Sequence, residues 1–171
     1  LISHDHFDHM DKPSIIRLYE NNPRMKVFCG LGMRDLIRGW LPDIQVIEAG
    51  WYQRWEEGRL KITFLPAQHW SKRSLNDGGL RLWGAFMLQT DDLSVYYGGD
   101  TGYSSHFTEI EELFGAPDYA LLGIGAYKPR WFMQANHISP YDSLTAASQM
   151  KARITIPMHY GTCLLYTSDA A

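Results

Sequence analysis

The stretch Leu1-Ile2-Ser3-His4-Asp5-His6-Phe7-Asp8-His9 decides how the rest of the chain is read. Its pattern is His-x-His-x-Asp-His, carried by His4, His6, Asp8 and His9. Imidazole nitrogen and carboxylate oxygen suit a borderline divalent ion such as zinc. His4 and His6 stand two apart, so on extended backbone they point to one side. Asp8 and His9 follow the turn and aim at a second ion. Two interleaved pairs therefore predict two metals. The competing reading, a polar surface loop that is rich in histidine by chance, fits this spacing poorly.

Four residues do not complete two coordination shells. The chain has seven histidines, which leaves His69, His106, His137 and His159 as further donors. Three of these sit in short loops just after apolar runs, where a rigid scaffold holds ligands best.

A chain of 171 residues is one domain or part of a larger one. With 45% hydrophobic residues it can build a real core. The net charge is -3 and no Lys/Arg run appears, so no nucleic-acid footprint is visible; a few basic residues can still meet one phosphate. Cys29 and Cys163 form no CxxC pair, which argues against a disulfide framework and a thiolate metal site. No run reaches the roughly 18 apolar residues of a spanning helix, and the expected location is cytoplasmic or peripheral to a membrane. The chain opens on an apparent strand without an initiator Met. That reads as a chain cut at the front, whose targeting segment would lie outside it. Residues 163–171 lack any period and read as a truncation or foreign scar behind a domain of residues 1–162.

Local signals place the other candidates. Asp11 and Pro13 announce a helix that Asn21-Asn22-Pro23 stops. Strands are predicted at Lys26–Cys29 and Gln45–Glu48, with a short helix from Met33 to Trp40 between them. Leu60–Leu65 alternates and predicts a strand that delivers His69. Leu82–Leu88 and Leu93–Tyr97 predict a hairpin turning at Thr90-Asp91-Asp92. Gly98-Gly99-Asp100-Thr101-Gly102 follows, with glycines that let backbone approach whatever Asp100 holds. A helix from about Thr108 to Phe114 precedes a buried strand, Tyr119–Ile124. Gly125–Met133 reads as a long aromatic loop. Ser139-Pro140-Tyr141-Asp142 is a capping box for a helix to about Lys151. Arg153–Pro157 is the last strand and His159 lies in its loop. Residues Lys72 to Gly79 read as a polar, mobile segment. The order predicts an α/β sheet protein with helices outside.

These pieces together resemble the metallo-β-lactamase fold superfamily, from Leu1 to Thr162. The resemblance implies an αβ/βα sandwich with metals at one edge, incomplete here because strands before the metal loop and the end after the last histidine loop are missing. It implies His4, His6 and His69 on one zinc, Asp8, His9 and His159 on the second, and Asp100 bridging both. Gln68–Arg73, Leu82-Trp83-Gly84, Gly99–Tyr103, Gly125–Met133, Asn136-His137 and His159–Thr162 further resemble the N-acylphosphatidylethanolamine-hydrolysing phospholipase D family and its bacterial relatives.

That resemblance implies two Zn2+ ions, with iron or manganese also suited to the donors. The ions would supply hydroxide at neutral pH for attack on a phospholipid phosphodiester, giving phosphatidic acid and N-acylethanolamine. A sugar-phosphate lactonase on the same metals and a non-catalytic fragment are the competing readings. Asp8, Asp100 and His137 are the expected catalytic groups. His137 either orients the phosphate or protonates the leaving alkoxide, or it simply caps the helix at Ser139. Lys72, Arg73 and Arg130 either meet an anionic headgroup or are solvated loop charges. Trp131, Phe132 and Met133 either line an acyl or headgroup pocket or belong to the core, and Tyr127 is expected to meet the substrate. His106 matches no motif and is expected on the surface before a helix. Asp5 is expected to be a loop residue and Asp11 a helix cap.

Overall fold

A computed structural model describes residues 1–161. The predicted tail from Cys163, and Thr162 before it, lie outside the described residues. In chain order the elements are α1 (Lys12–Asn21), β1 (Lys26–Gly30), α2 (Arg34–Trp40), β2 (Gln45–Ala49), β3 (Arg54–Glu57), β4 (Leu60–Leu65), β5 (Ala85–Gln89), β6 (Ser94–Tyr97), α3 (His106–Phe114), β7 (Tyr119–Gly123), α4 (Arg130–Met133), α5 (Pro140–Gln149) and β8 (Ile154–Met158).

Two sheets face each other. The smaller is the parallel pair β1 and β2, extended by a parallel bridge between Ile2 and Cys29. The larger has six strands in the order β3-β4-β5-β6-β7-β8. Side chains along a strand alternate between faces, and the two faces of the larger sheet enter different cores. Leu65, Ala85, Met87, Tyr96, Ala120 and Leu122 pack against Phe107, Ile110, Ala146 and Met150, which belong to or directly follow α3 and α5. Ile62, Phe64 and Phe86 point the other way, against Phe28 and Ala49 of the small sheet. Behind that sheet Ile15 and Ile37, from α1 and α2, close a third cluster with Val27 and Val46. The layers are therefore helix, sheet, sheet, helix, the αβ/βα sandwich that the resemblance implies. Each fully buried side chain of this kind contributes roughly 1.5–3 kcal/mol, so Phe64 and Phe86, both 1% exposed, weigh heavily in joining the sheets.

Strand direction sets where the loops emerge. β4 and β6 each run antiparallel to β5, and β6, β7 and β8 are mutually parallel. The C-terminal ends of β4, β6, β7 and β8 thus share one edge of the sheet. The helices end as their caps dictate. Asp11 accepts a hydrogen bond from Ser14 N at the start of α1. Ser139 and Asp142 form the reciprocal capping box of α5.

Several boundaries differ from the sequence reading. β3 pairs with β4 and is exposed at all four positions, so it carried no alternation to read. The strand expected from Leu82 starts at Ala85, because Leu82 N donates to Leu31 O and Gly84 N to Ser3 O instead of a ladder partner. The expected aromatic loop contains a helical turn, α4. The supposedly mobile segment is tied to Asp77, whose Oδ1 accepts from the backbone N–H of Arg73 and Ser74.

Candidate metal centre

The shared sheet edge collects the candidate donors. His69 follows β4, Asp100 follows β6, and His159 follows β8. His137 lies between α4 and α5, on the connection leaving β7. The His4–His9 loop leaves the bridge at Ile2. Two glycines let these loops meet. Gly99 has φ +57° and a Cβ there would stand 2.6 Å from the Ser3 side chain. A Cβ at Gly102 would collide with the Ala135 carbonyl.

Asp100 Oδ2 sits at the centre. It lies 3.1 Å from His9 Nε2, 3.5 Å from His159 Nε2, 3.7 Å from His137 Nδ1, and 3.9 Å from Nε2 of both His4 and His69. His6 Nδ1 is 2.9 Å from His4 Nε2 and 3.3 Å from His69 Nε2. Asp8 Oδ2 is 3.2 Å from His159 Nε2 and 3.5 Å from His9 Nε2. Donor atoms therefore gather as His4/His6/His69, as Asp8/His9/His159, as His4/His9/Asp100 and as His69/Asp100/His137.

The donors fit a metal. His69 Nδ1 faces the Asn136 carbonyl at 3.1 Å, which can only accept, so the proton sits on Nδ1 and Nε2 keeps its lone pair. That lone pair points into the cluster. Ser3 Oγ lies 3.0 Å from His4 Nδ1, leaving His4 Nε2 on the inner side. Asp100 Oδ1 is buried with no hydrogen-bond partner among the described residues. A buried carboxylate oxygen left bare is costly unless something else neutralises it.

Electrostatics agree with this reading. Burial pushes the His69 imidazole down to about 3. Burial also holds His4 well below its ordinary value and lowers His6 and His137. These rings stay neutral at pH 7, the form that ligates. The Asp8 hydrogen bond raises His159, and the same contact lowers Asp8. Burial works to raise Asp100, but the His9 contact and the surrounding imidazoles outweigh it and keep the carboxyl ionised.

Other expectations change. His106 is 7% exposed rather than on the surface, in hydrogen-bond reach of Ser104 Oγ and Thr101 Oγ1. It is the one histidine apart from the cluster. Asp5 is no ordinary loop residue: it is fully buried and paired with Arg81 at 2.8 Å. Arg73 is occupied by the fold, donating to the carbonyls of Asp5 and Met10 and stacking over Phe7. Arg130 pairs with Asp142 at 2.9 Å and donates to the His137 carbonyl. Both arginines are thus paired, although the Arg130 side chain stays 40% exposed. His137 faces Asp100, while Ser139 itself caps α5. Trp131 and Phe132 do not enter the core, at 79% and 64% exposed. Tyr127 and Lys72 are half-buried.

Three residues that sequence reasoning passed over tie the loops together. Thr101 Oγ1 accepts from Gln68 N, Gln68 O accepts from Gly102 N, and Gln68 Nε2 donates to Ala135 O. Gln68, through its backbone and its amide together, thereby links the loops bearing His69, Asp100 and His137. Arg81 stands between Leu80 and Leu82; a lone charge in an apolar run is the signal that a buried partner exists.

The sequence pattern of the Beta-lactamase superfamily domain matches residues 1–160. The chain belongs to this family. It is 35% identical over 99% of its length to an N-acyl-phosphatidylethanolamine-hydrolyzing phospholipase D 1 of Caenorhabditis elegans, of which it covers 50%. It is 28% identical over 99% of its length to a UPF0173 metal-dependent hydrolase of Hyperthermus butylicus, covering 68% of that protein. Among solved structures it is similar to Igni18, a metallo hydrolase of Ignicoccus hospitalis, with TM-score 0.72 and 24% identity, covering 95% of this chain and 63% of that one. The chain thus spans 50% of the phospholipase it matches. The metallo-β-lactamase fold that the resemblance implies is the fold observed.

Proposed function

We propose that this chain carries the metal centre of a binuclear metal-dependent hydrolase that cleaves a phospholipid phosphodiester. The observation that carries the reading is the single carboxylate oxygen of Asp100 with five imidazole nitrogens within 3.9 Å. In this reading His4, His6 and His69 hold one ion, Asp8, His9 and His159 hold the other, and Asp100 serves both. Zinc suits these donors, and iron or manganese would also be accepted. Such ions, when bound, acidify water and offset charge that develops on the phosphoryl oxygens.

The chain's own groups do the rest. Asp100 keeps the two donor sets at one spacing. Asp8 is exposed on its outer side, so it meets both the metal site and arriving substrate. His137 is kept neutral by burial. It therefore acts as an N–H donor that orients an anionic oxygen, in preference to a stored proton for the leaving alkoxide. Arg130 buttresses His137 through its carbonyl. Lys72 and Tyr127 remain the groups closest in chemistry to a headgroup contact. Trp131 and Phe132, exposed on α4, offer apolar surface to acyl chains at a membrane face. No helix among the described residues is long and apolar enough to cross a membrane.

The similarity to the Caenorhabditis elegans phospholipase supports an N-acyl phospholipid as substrate, giving phosphatidic acid and N-acylethanolamine. The similarity to a UPF0173 metal-dependent hydrolase speaks for hydrolysis without naming a substrate, so a lactone or another ester on the same metals is the rival. Metal analysis of the full-length protein, with N-acyl phosphatidylethanolamine assayed against a lactone panel, tests the proposal. Release of N-acylethanolamine that tracks metal content supports it, and turnover of lactones alone defeats it.

A further inference from the structure

Asp5 lies inside the metal motif, yet it faces away from the donor groups and into a separate ionic cluster. Its side chain is fully buried, and a buried carboxylate is expensive unless it is fully paired. Both of its oxygens are satisfied by one segment. Oδ1 accepts from the backbone N–H of Lys72 at 2.9 Å, and Oδ2 accepts from Arg81 Nη1 at 2.8 Å. The same Nη1 donates to Asp77 Oδ2 at 2.8 Å. Asp77 in turn accepts from the backbone N–H of Arg73 and Ser74. Arg73 closes the circuit by donating to the carbonyls of Asp5 and Met10, at the two ends of the metal loop.

This cluster joins two donor loops. His4 and His6 flank Asp5 on one side, and His69 lies three residues before Lys72 on the other. No bond of the cluster touches a donor atom. We infer that Arg81 is a positioning residue that sets the His4/His6 loop against the His69 loop, acting through Asp5 and Asp77. The inference rests on the metal reading above and extends it to a residue outside every donor group. Two carboxylates on one guanidinium nitrogen also make the arrangement asymmetric. Losing Asp5 leaves Arg81 paired with Asp77. Losing Arg81 strands a buried anion between His4 and His6.

The test uses four full-length proteins: the parent, Asp5→Asn, Arg81→Met and the double variant. Each is stripped of metal and titrated with Zn2+ against a chromophoric chelator, then loaded with Co2+ for its visible spectrum. Thermal unfolding is followed alongside. Arg81→Met is expected to weaken Zn2+ binding by roughly ten- to a hundredfold and to alter the Co2+ bands, the range found when groups that orient ligands are removed. Asp5→Asn alone is expected to cost less. The double variant is expected to recover most of the affinity that Arg81→Met loses, and it supplies the comparison if that single variant does not fold. Parental affinity and an unchanged cobalt spectrum in the folded variants, with only a lower Tm, overturn the inference. A parent protein that binds no metal overturns the metal reading itself, a different result from the same titration.

Discussion

His9 Nε2 stands 3.1 Å from Asp100 Oδ2, the shortest approach that any histidine makes to that oxygen among the described residues. The pair joins the N-terminal loop to the loop after β6. Converting the carboxylate to an amide keeps the volume and removes the charge. Asp100→Asn is expected to lower bound zinc and to cut hydrolysis roughly a hundredfold or more. Metal analysis beside a turnover assay checks both. A variant with parental zinc and parental rate would remove the basis for the proposed function.

Gly102 is predicted to tolerate no side chain. Its missing Cβ makes room for the Ala135 carbonyl, which is backbone and cannot swing away. Gly102→Ala is expected to destabilise the protein by about 1–3 kcal/mol, the usual cost of overpacking. Urea denaturation of parent and variant measures it. Gly115→Ala, where the added atom meets nothing within 4 Å but φ is +77°, separates backbone strain from collision.

Acid stability should carry the signature of His106. Burial pushes this imidazole down to about 4, while in the unfolded chain it titrates near its ordinary value of 6.5. Above pH 6.5 both states are neutral there and the residue contributes no pH dependence. As pH falls from 6.5 towards 4 the unfolded chain takes the proton first, so stability drops, by about 3 kcal/mol once both states are protonated. His106→Gln is expected to flatten that part of the stability curve. Identical slopes for parent and variant between pH 6.5 and 4 would contradict the burial assigned to this ring.

Chelation should destabilise the fold as well as silence it. An ion that binds only the folded state at a hundred times its Kd contributes about 2.7 kcal/mol. Treatment with a chelator is expected to lower Tm by several degrees, and added zinc to restore it. A Tm indifferent to both would mean that no ion links the loops.

The residues that gather at the sheet edge stood out in the sequence because His4, His6, Asp8 and His9 combine metal-ligating residue types at a ligand-like spacing. The central strands were readable because their apolar residues fill the cores on both faces of the sheet, as Phe64 and Leu65 show in β4. What escaped notice depends on partners distant in sequence. Asp5 looks like any loop aspartate until Arg81 is placed beside it. Gln68 looks like a polar loop residue until the Ala135 carbonyl arrives. β3 has four exposed residues and gains its conformation from pairing with β4, which no local pattern announces. Arg73 and Arg130 have the chemistry of phosphate ligands, and only tertiary contacts reveal that each already has a partner within the fold.

The grouped side chains run from His4 to His159 beyond β8, so no shorter stretch owns the complete set. A chain emerging from the ribosome exposes its first histidines long before their last partner has been translated. His159 joins them only once β8 has paired with β7. Until that moment the group of Asp8, His9 and His159 lacks one of its three members.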